Sequence, residues 1–161
     1  MSGTSLDGLD MVYCKIKKEK KIWKFEILSA ITKKYTSDWK RKLASAHTLT
    51  SSQLFSLDHL YGQYLAKAIL DFVKENKIKD VDFIASHGHT IFHQPKNGFT
   101  YQLGSGQTLT DVTGIPVVFD FRSLDVIRGG EGAPLVPIGD RYFFNAYDIC
   151  LNLGGIANLS M

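Results

Sequence analysis

Two short apolar runs in the middle of the chain indicate the fold class. Residues 80–86 (DVDFIAS) and 116–121 (PVVFDF) are mostly apolar, and turns and a helical stretch near residues 107–113 separate them. Runs of this kind are typical of buried strands in parallel sheets. Upstream, residues 9–16 and 22–32 have the pattern of two strands joined by a Lys-rich turn, which predicts an antiparallel hairpin. The sequence therefore predicts an α/β protein with a mixed sheet flanked by helices.

Two helices are predicted between the hairpin and the first apolar run. Residues 36–47 are a short helix candidate. Thr50 and Gln53 have the spacing of a capping box, and behind them apolar residues recur at three- and four-residue intervals as far as Val73. This periodicity is the strongest helical pattern in the sequence, and it predicts a helix that packs one apolar face against the sheet.

The composition favours a globular domain and argues against two classes of partner. The chain has 161 residues, of which 44% are hydrophobic, and a net charge of +3, which suffices for one domain with a hydrophobic core. No apolar run approaches the roughly 20 residues of a membrane span, so we expect no membrane partner. Lysines concentrate in the predicted hairpin, where they alternate with apolar residues as on a solvated strand face. No recognition motif accompanies them, so we expect no nucleic-acid partner.

Glycine-rich turns occur near both ends of the chain. MSGTSLDG precedes the first predicted strand, and NLGGIAN lies between two apolar runs in DICLNLGGIANLSM. Glycine permits tight bends, and the hydroxyl and backbone N–H groups of such turns can wrap the phosphates of a nucleotide. The repeated turn predicts two similar domains, of which residues 1–146 form the first, without its first strand, and residues 147–161 form the opening hairpin of the second. We therefore expect the chain to be a piece of a longer protein.

Polar side chains follow both predicted parallel strands. His87 and Thr90, in the block SHGHTIFHQP, follow the first strand. Asp120, Arg122 and Asp125 follow the second and lead into a glycine loop. Open α/β sheets bind their ligands at the carboxyl ends of strands. Because carboxylate, guanidinium and imidazole groups make directional hydrogen bonds, these residues suit a polyhydroxylated or carboxylated small molecule.

Five blocks of the sequence together carry a family resemblance. MSGTSLDGLD, SHGHTIFHQP, VVFDFRSLDV, GGEGAPLVP and LNLGGIANLS occur in this order over nearly the whole chain. They resemble the anhydro-N-acetylmuramic acid kinases of bacterial cell-wall recycling, which belong to the sugar-kinase, hexokinase and actin-like superfamily. The resemblance implies a ribonuclease H-like (actin-like ATPase) domain in a two-domain protein. It also implies that ATP and Mg²⁺ are used to phosphorylate O6 of 1,6-anhydro-N-acetylmuramic acid, while water opens the anhydro bridge and ADP leaves.

The resemblance also assigns roles to particular residues. The turn near the N-terminus would hold the phosphates of ATP, together with the second glycine turn, and Asp7 and Asp10 would hold Mg²⁺ through water. The implied cofactor-binding residues are Gly3, Thr4, Ser5, Leu6, Asp7, Gly8, Leu9, Asp10, Gly154 and Gly155. The sugar side would be lined by His87, Thr90, Asp120, Arg122 and Asp125.

Other features of the family are expected outside this chain. The general base belongs to an Asp-Cys-Gly-Pro-Gly-Asn block that does not occur up to Met161, and the adenine pocket is expected beyond the same residue. We therefore expect no turnover by this chain alone. The resemblance implies a cytoplasmic enzyme that is a homodimer at full length. His89 and Glu131 stand where Gln is common in the family, and we expect them to add charge or pH sensitivity near the sugar.

Two alternative functions stay open from the sequence. His87, His89 and His93 occur at even spacings that one strand face could present to a zinc ion, with Asp120 as a fourth ligand. Tight stoichiometric binding of zinc would favour such a metal-dependent hydrolase. The chain could instead be a module that binds a sugar or nucleotide without catalysis, which absence of ADP formation would favour.

Overall fold

A long β-hairpin forms the N-terminal part of the chain. In the computed structural model, which describes residues 1–153 and 157–161, β1 (Gly8–Glu19) pairs antiparallel with β2 (Ile22–Lys34). The predicted antiparallel hairpin is confirmed. Both strands are longer than predicted, because their polar ends continue the ladder beyond the apolar pattern.

Two helices follow the hairpin, as predicted. They are α1 (Ser37–Ser45) and α2 (Ser51–Glu75). The capping box at the start of α2 is complete: the Thr50 hydroxyl accepts the Gln53 N–H at 3.4 Å, and the Gln53 side-chain oxygen accepts the Thr50 N–H at 3.0 Å. Two N–H groups at the start of the helix are thereby satisfied, which fixes where α2 begins.

The middle of the chain contains the predicted parallel strands and one further hairpin. Its elements, in chain order, are β3 (Ile84–Ser86), β4 (His89–Gln94), β5 (Phe99–Leu103), α3 (Gly106–Thr113) and β6 (Val117–Phe119). β3 and β6 pair in parallel, as the two apolar runs predicted. β4 and β5 form an antiparallel hairpin that the sequence analysis missed, because the polar residues of the SHGHTIFHQP block obscure the pattern of a strand.

Within the described residues, the strands form small sheets and not one continuous mixed sheet. The pairs β1–β2, β3–β6 and β4–β5 are separate two-stranded ladders. Ser2 links two of these ladders, since it bridges Leu9 of β1 antiparallel and His89 of β4 in parallel. The Tyr13 hydroxyl also donates to the Asp80 carbonyl at 3.0 Å, which ties β1 to the segment before β3. The protein is thus mixed α/β, but its ladders are narrower than the predicted sheet.

The hydrophobic core collects side chains from α2, α3 and two hairpins. Tyr61 of α2, Leu103 of β5 and Leu109 of α3 are completely buried. Leu9 of β1 and Tyr35, which follows β2, belong to the same cluster. Each fully buried side chain of this size contributes about 1.5–3 kcal/mol relative to its exposed state. The segments that carry the predicted site residues are therefore attached to a common core.

The C-terminal part contains two short helices and a second hairpin. These elements are α4 (Ser123–Ile127), α5 (Val136–Phe143), β7 (Cys150–Leu153) and β8 (Ala157–Ser160). β7 and β8 pair antiparallel, so the two strands of the predicted second hairpin are present. The turn residues Gly154 and Gly155, predicted to bind ATP, lie outside the described residues. Among the helices of the described ranges, none has the length and apolar character that crossing a membrane requires.

Candidate functional site

The N-terminal glycine turn is a closed hairpin bend. Asp10 donates its N–H to the Met1 carbonyl at 2.8 Å, and Ser2 bridges the beginning of β1. The Leu6 N–H donates to the Gly3 carbonyl at 3.2 Å, which closes the bend itself. Met1 and Ser2 thus lie beside the start of β1, and Ser2 takes part in isolated bridges and in none of the strands of the described residues.

Apolar side chains anchor this turn, and its polar side chains are exposed. Leu9 is only 4% exposed and belongs to the core, and Leu6 packs against the core in a left-handed backbone conformation with φ of +56°. Thr4, Ser5 and Asp7 are exposed. Within residues 1–153 and 157–161 their side chains make no hydrogen bond. Two hydroxyls and one carboxylate are therefore available to a ligand.

The two glycines of the turn have different surroundings. A Cβ at Gly8 would lie 2.7 Å from the Lys33 carbonyl oxygen, so the close approach of β1 and β2 requires glycine there. The nearest atom to a Cβ at Gly3 would be Ser5 Oγ at 3.5 Å, which is an ordinary contact. The need for Gly8 is thus explained by packing within the hairpin, whereas no packing contact of the described chain requires Gly3.

The two carboxylates predicted to hold Mg²⁺ also differ. Asp10 lies on β1, and its Oδ1 accepts the Thr32 hydroxyl at 2.6 Å. Asp7 lies in the bend and is exposed. Mg²⁺ keeps several waters and usually binds one or two carboxylates together with substrate phosphates. The hydroxyls and carboxylates of this turn are the donor set that such a hydrated ion and its phosphates require, so the residues present fit the group.

A cleft of about 170 Å³ lies at the carboxyl ends of β3 and β6, where open α/β sheets bind their ligands. His87 and Asp120, which were predicted to bind substrate, both line it. Further polar side chains of its wall come from α2, β5 and the start of α4: Asp58, Tyr101, Gln102 and Ser123. The ends of the two parallel strands therefore meet at one cleft, whose wall carries these polar side chains.

Hydrogen bonds hold His87 in one neutral form. Its Nε2 accepts the Arg122 Nε–H at 2.9 Å, and its Nδ1 donates to the Gly88 carbonyl at 3.1 Å. A guanidinium only donates hydrogen bonds, so Nε2 carries no proton. Burial lowers the pKa of His87, and the charge of Arg122 acts in the same direction against the opposing hydrogen bond to Gly88. His87 therefore gives the cleft a neutral wall with both ring nitrogens engaged.

Arg122 and Asp125 are engaged by the glycine loop that follows them. Besides its bond to His87, the Arg122 guanidinium donates to the Gly132 carbonyl at 2.6 Å. Asp125 Oδ2 accepts the N–H of the same Gly132 at 2.7 Å. Neither residue is among the described residues that line the cleft. In this geometry the two side chains hold the loop, and the hydrogen bond of Arg122 to His87 connects them to the cleft.

Asp120 combines a left-handed backbone with a place in the cleft wall. It follows β6 directly and has a φ of +56°. Its Oδ1 accepts the Ser123 N–H at 3.1 Å at the start of α4. Such backbone conformations cost of order 1–3 kcal/mol and cluster at functional sites. The other carboxylate oxygen has no hydrogen bond in the described part of the chain, so it is available to a ligand in the cleft.

The three histidines considered as zinc ligands do not converge. The Nδ1 of His89 lies 2.8 Å from the Ser2 hydroxyl, the Nδ1 of His93 lies 3.2 Å from the Thr100 hydroxyl, and His87 is engaged as described above. Among the residues that the structure describes, no group of three His, Cys, Asp or Glu side chains could hold a metal ion. The alternative of a zinc site built from these histidines is therefore contradicted for the described part of the chain.

Thr90 and His89 lie at the start of β4, and neither lines the cleft in the described structure. Thr90 pairs with Gln102 of β5, which does line it. A register shift between Thr90 and Phe92 breaks the strict alternation of β4 that the zinc hypothesis required. His89 is 4% exposed, and burial lowers its pKa. The ring of His89 is buried against Ser2, and its lowered pKa favours the neutral form, so of the expected charge or pH sensitivity only the latter stays a prediction.

The whole chain matches one protein family. A sequence model described as "Anhydro-N-acetylmuramic acid kinase" matches residues 1–161. The chain belongs to this family. The anhydro-N-acetylmuramic acid kinase of Legionella pneumophila (strain Lens) is 35% identical over 170 residues, which cover 99% of this chain and 45% of that protein. The enzyme of the same name from Pseudoalteromonas translucida is 38% identical over 176 residues (99% and 44% covered), and that from Sulfurimonas denitrificans is 35% identical over 170 residues (100% and 45%). The chain thus spans less than half the length of these relatives.

In this member of the anhydro-N-acetylmuramic acid kinase family, several polar residues of the cleft were not predicted from the sequence, among them Asp58, Tyr101 and Gln102. Asp58 lies within the pattern of α2, and Tyr101 and Gln102 lie on β5, which was not predicted. Asp58 accepts the Gly104 N–H at 2.7 Å. The Tyr101 hydroxyl is buried without a hydrogen-bond partner in the described chain, and burial and then the charge of Asp58 raise its pKa. A buried hydroxyl of this kind can bond to a ligand. The sequence feature that could have indicated a site on α2 is Asp58, a charged residue next to the apolar face of the helix.

Proposed function

We propose that this chain is part of an ATP-dependent kinase that acts on 1,6-anhydro-N-acetylmuramic acid in peptidoglycan recycling. In the proposed reaction, water adds at the anomeric carbon, the bond from that carbon to O6 breaks, and O6 receives the γ-phosphoryl group of ATP. The products are N-acetylmuramic acid 6-phosphate and ADP. Family membership supports this assignment, and the placement of two segments of the chain supports it independently.

The observation that carries the proposal is that Ser2, the residue before the nucleotide turn (residues 3–8), contacts the substrate loop (residues 87–90). Ser2 directly precedes the nucleotide turn, and its hydroxyl lies 2.8 Å from the ring of His89 in the substrate loop. Phosphoryl transfer requires the donor phosphates and the acceptor hydroxyl to be aligned at close distance. Two segments suited to these two groups therefore lie side by side.

On the nucleotide side, the exposed polar groups of the turn fit phosphates. The Thr4 and Ser5 hydroxyls would donate to phosphate oxygens, and the open surroundings of Gly3 would let the backbone approach them. Asp7 and Asp10 would hold the hydrated Mg²⁺ ion, which when bound neutralises phosphate charge. Leu6 and Leu9 anchor the turn in the core, so its shape is set before a ligand binds.

On the sugar side, the cleft offers acceptors for hydroxyl groups. Asp120 and Asp58 would accept hydrogen bonds from the sugar, and Gln102 can donate or accept. Both ring nitrogens of His87 are already hydrogen-bonded within the protein. In this proposal the ring therefore contacts the ligand by packing against it and does not accept a proton. In this proposal the general base that activates water, and the adenine pocket, belong to a part of the protein beyond residue 161.

We also propose the wider architecture that the family implies. Residues 1–146 would form a ribonuclease H-like (actin-like ATPase) domain, and residues 147–161 would open a second domain. The antiparallel hairpin followed by a parallel pair supports the first assignment, and the β7–β8 hairpin supports the second. The full-length protein would be a homodimer that acts on its sugar substrate in the cytoplasm, where ATP is available.

The test is turnover by the full-length protein. We expect ADP only when ATP, Mg²⁺ and 1,6-anhydro-N-acetylmuramic acid are all present, and ³¹P NMR should show a 6-phosphate ester. In H₂¹⁸O, the label should enter the anomeric hydroxyl, because water opens the bridge. N-acetylmuramic acid, which lacks the anhydro bridge, is the matched control substrate. It tests whether phosphorylation of O6 is coupled to opening of the bridge. Binding of the anhydro sugar without ADP formation would contradict the kinase proposal and favour the non-catalytic binding module.

A further inference from the structure

Ser2 connects the nucleotide turn and the substrate loop through both its backbone and its side chain. Its backbone bridges Leu9 and His89, and its hydroxyl lies 2.8 Å from His89 Nδ1. Although Ser2 is the second residue of the chain, it is only 3% exposed, and His89 is 4% exposed. The contact is therefore a buried polar connection between two segments that are 87 residues apart in sequence.

The connection continues into the core. The hydroxyls of Tyr35 and Tyr61 lie 2.6 Å apart, and both are buried. Burial raises the pKa of each tyrosine. The tyrosine pair belongs to the same buried cluster as Leu9, which Ser2 bridges. Because leaving a buried polar group unpaired is costly, each of these two buried contacts favours one arrangement of its members.

We propose that Ser2 and His89 are positioning residues that set the distance between the nucleotide turn and the substrate loop. The inference rests on the proposed function, since it concerns alignment for phosphoryl transfer. Neither side chain lines the described cleft, and Ser2 lies before the nucleotide turn, so each acts through the segment beside it. Ser2 is adjacent to Gly3 of the nucleotide turn, and His89 lies between His87 and Thr90 of the substrate loop.

The kinetic test separates positioning from binding. In the full-length protein, Ser2→Ala and His89→Leu should lower kcat at least about tenfold, because misplacement by a fraction of an ångström weakens alignment. The KM values for ATP and for the anhydro sugar should stay within about twofold, since each binding segment is itself intact. His89→Gln, which keeps a hydrogen-bonding group, should recover most of kcat.

Ser29→Ala is the matched control. The Ser29 hydroxyl donates to the Asn76 side chain at 2.7 Å, so the variant loses a side-chain hydrogen bond of the hairpin away from both segments. It should leave kcat unchanged. If Ser2→Ala and Ser29→Ala have the same kcat, or if Ser2→Ala raises KM and leaves kcat unchanged, the positioning role is overturned.

Amide chemical shifts test the connection without any catalysis. In ¹⁵N-labelled full-length protein, Ser2→Ala should shift amides of residues 87–90, and His89→Leu should shift those of residues 3–8, whereas Ser29→Ala should shift neither set. Absence of these shifts in folded variants overturns the inference even if the wild type is a kinase. Absence of ADP formation by the wild type overturns the proposed function, while the amide shifts still report whether the two segments are connected.

Discussion

Two glycine-rich segments of this chain are similar in composition but differ in how their polar groups are used. In the nucleotide turn, the side chains of Thr4, Ser5 and Asp7 are exposed and make no hydrogen bond within the described chain. In the glycine loop (residues 129–132), Arg122 and Asp125 hold both backbone groups of Gly132. Free polar groups can bind a ligand, whereas groups already paired stabilise the fold.

This difference predicts where substitutions will have their effect. Changes around the glycine loop should first lower the free energy of unfolding, because they remove hydrogen bonds that exist without a ligand. Changes in the nucleotide turn should leave stability almost unchanged and weaken binding of the nucleotide. Measuring stability and affinity on the same variants therefore tests the comparison directly.

The largest effect on stability is expected for Arg122→Ala. The guanidinium donates to His87 Nε2 at 2.9 Å and to the Gly132 carbonyl at 2.6 Å, so its removal leaves two acceptors unpaired. We expect a loss of about 2 kcal/mol in the free energy of unfolding, since hydrogen bonds of charged groups contribute roughly 1.5–3 kcal/mol and this site is only partly buried. Urea denaturation of wild type and variant measures it.

Arg122→Lys and Arg128→Ala are the controls for this prediction. A lysine ammonium lacks the planar fork that reaches both acceptors, so Arg122→Lys should recover only part of the loss. Arg128 is an exposed arginine of the same segment, and its removal should change stability by less than about 0.5 kcal/mol. Equal stability of Arg122→Ala and Arg128→Ala would show that the loop is not held as described.

A pair of glycine substitutions gives the next effect. Gly132 has a φ of +65°, and a Cβ there would lie 2.8 Å from Val126 Cγ2. Gly132→Ala should therefore cost about 1–2 kcal/mol from backbone strain alone. Gly3→Ala meets only Ser5 Oγ at 3.5 Å, so it should leave the thermal midpoint unchanged and weaken nucleotide binding. The comparison fails if Gly3→Ala is the more destabilising of the two.

The buried histidines predict a smaller, pH-dependent effect. Burial lowers the pKa of His87 and of His89 from the ordinary value of 6.5. Below that value the unfolded chain binds more protons than the folded chain, so stability falls as the pH decreases. The contribution is complete above pH 6.5 and is lost as the pH falls towards the lowered pKa values. Denaturation curves between about pH 7.5 and 5.5 should show this slope.

His89→Gln should reduce that slope, because one of the two groups no longer titrates. A slope of the opposite sign, with stability rising as the pH decreases, would mean that the two buried rings are charged in the folded protein.

Local patterns were sufficient to predict most secondary structure. The capping box located the start of α2, and the apolar runs located β3 and β6, because these signals depend on residues close in sequence. The β4–β5 hairpin was missed because it lacks the apolar pattern of a strand. Its polar side chains form hydrogen bonds with residues far away in sequence, such as that between His89 and Ser2. The extent of the sheets was also missed, since strand pairing depends on tertiary packing.

The candidate site was predictable to the level of its segments but not of its contacts. His87 and Asp120 reach the cleft because both follow parallel strands, which the sequence showed. That Arg122 and Asp125 would bond to Gly132 depends on how a loop folds back, which no spacing reveals. Asp58 enters the cleft from a helix far away in sequence, so only the packed structure identifies it.

The smallest effect on stability is expected for Asp7→Asn. Asp7 is exposed in the nucleotide turn, so the variant should keep the stability of the wild type within about 0.5 kcal/mol. Its affinity for Mg²⁺-ATP should fall roughly tenfold in the full-length protein, because the turn loses a charge that supports the hydrated ion. Asp111→Asn, an exposed carboxylate of α3, controls for the change in net charge. Calorimetric titration measures the affinity of both variants for Mg²⁺-ATP. Equal affinities would show that Asp7 does not belong to the nucleotide site. The claim that the exposed polar groups of the nucleotide turn bind a ligand would then fail.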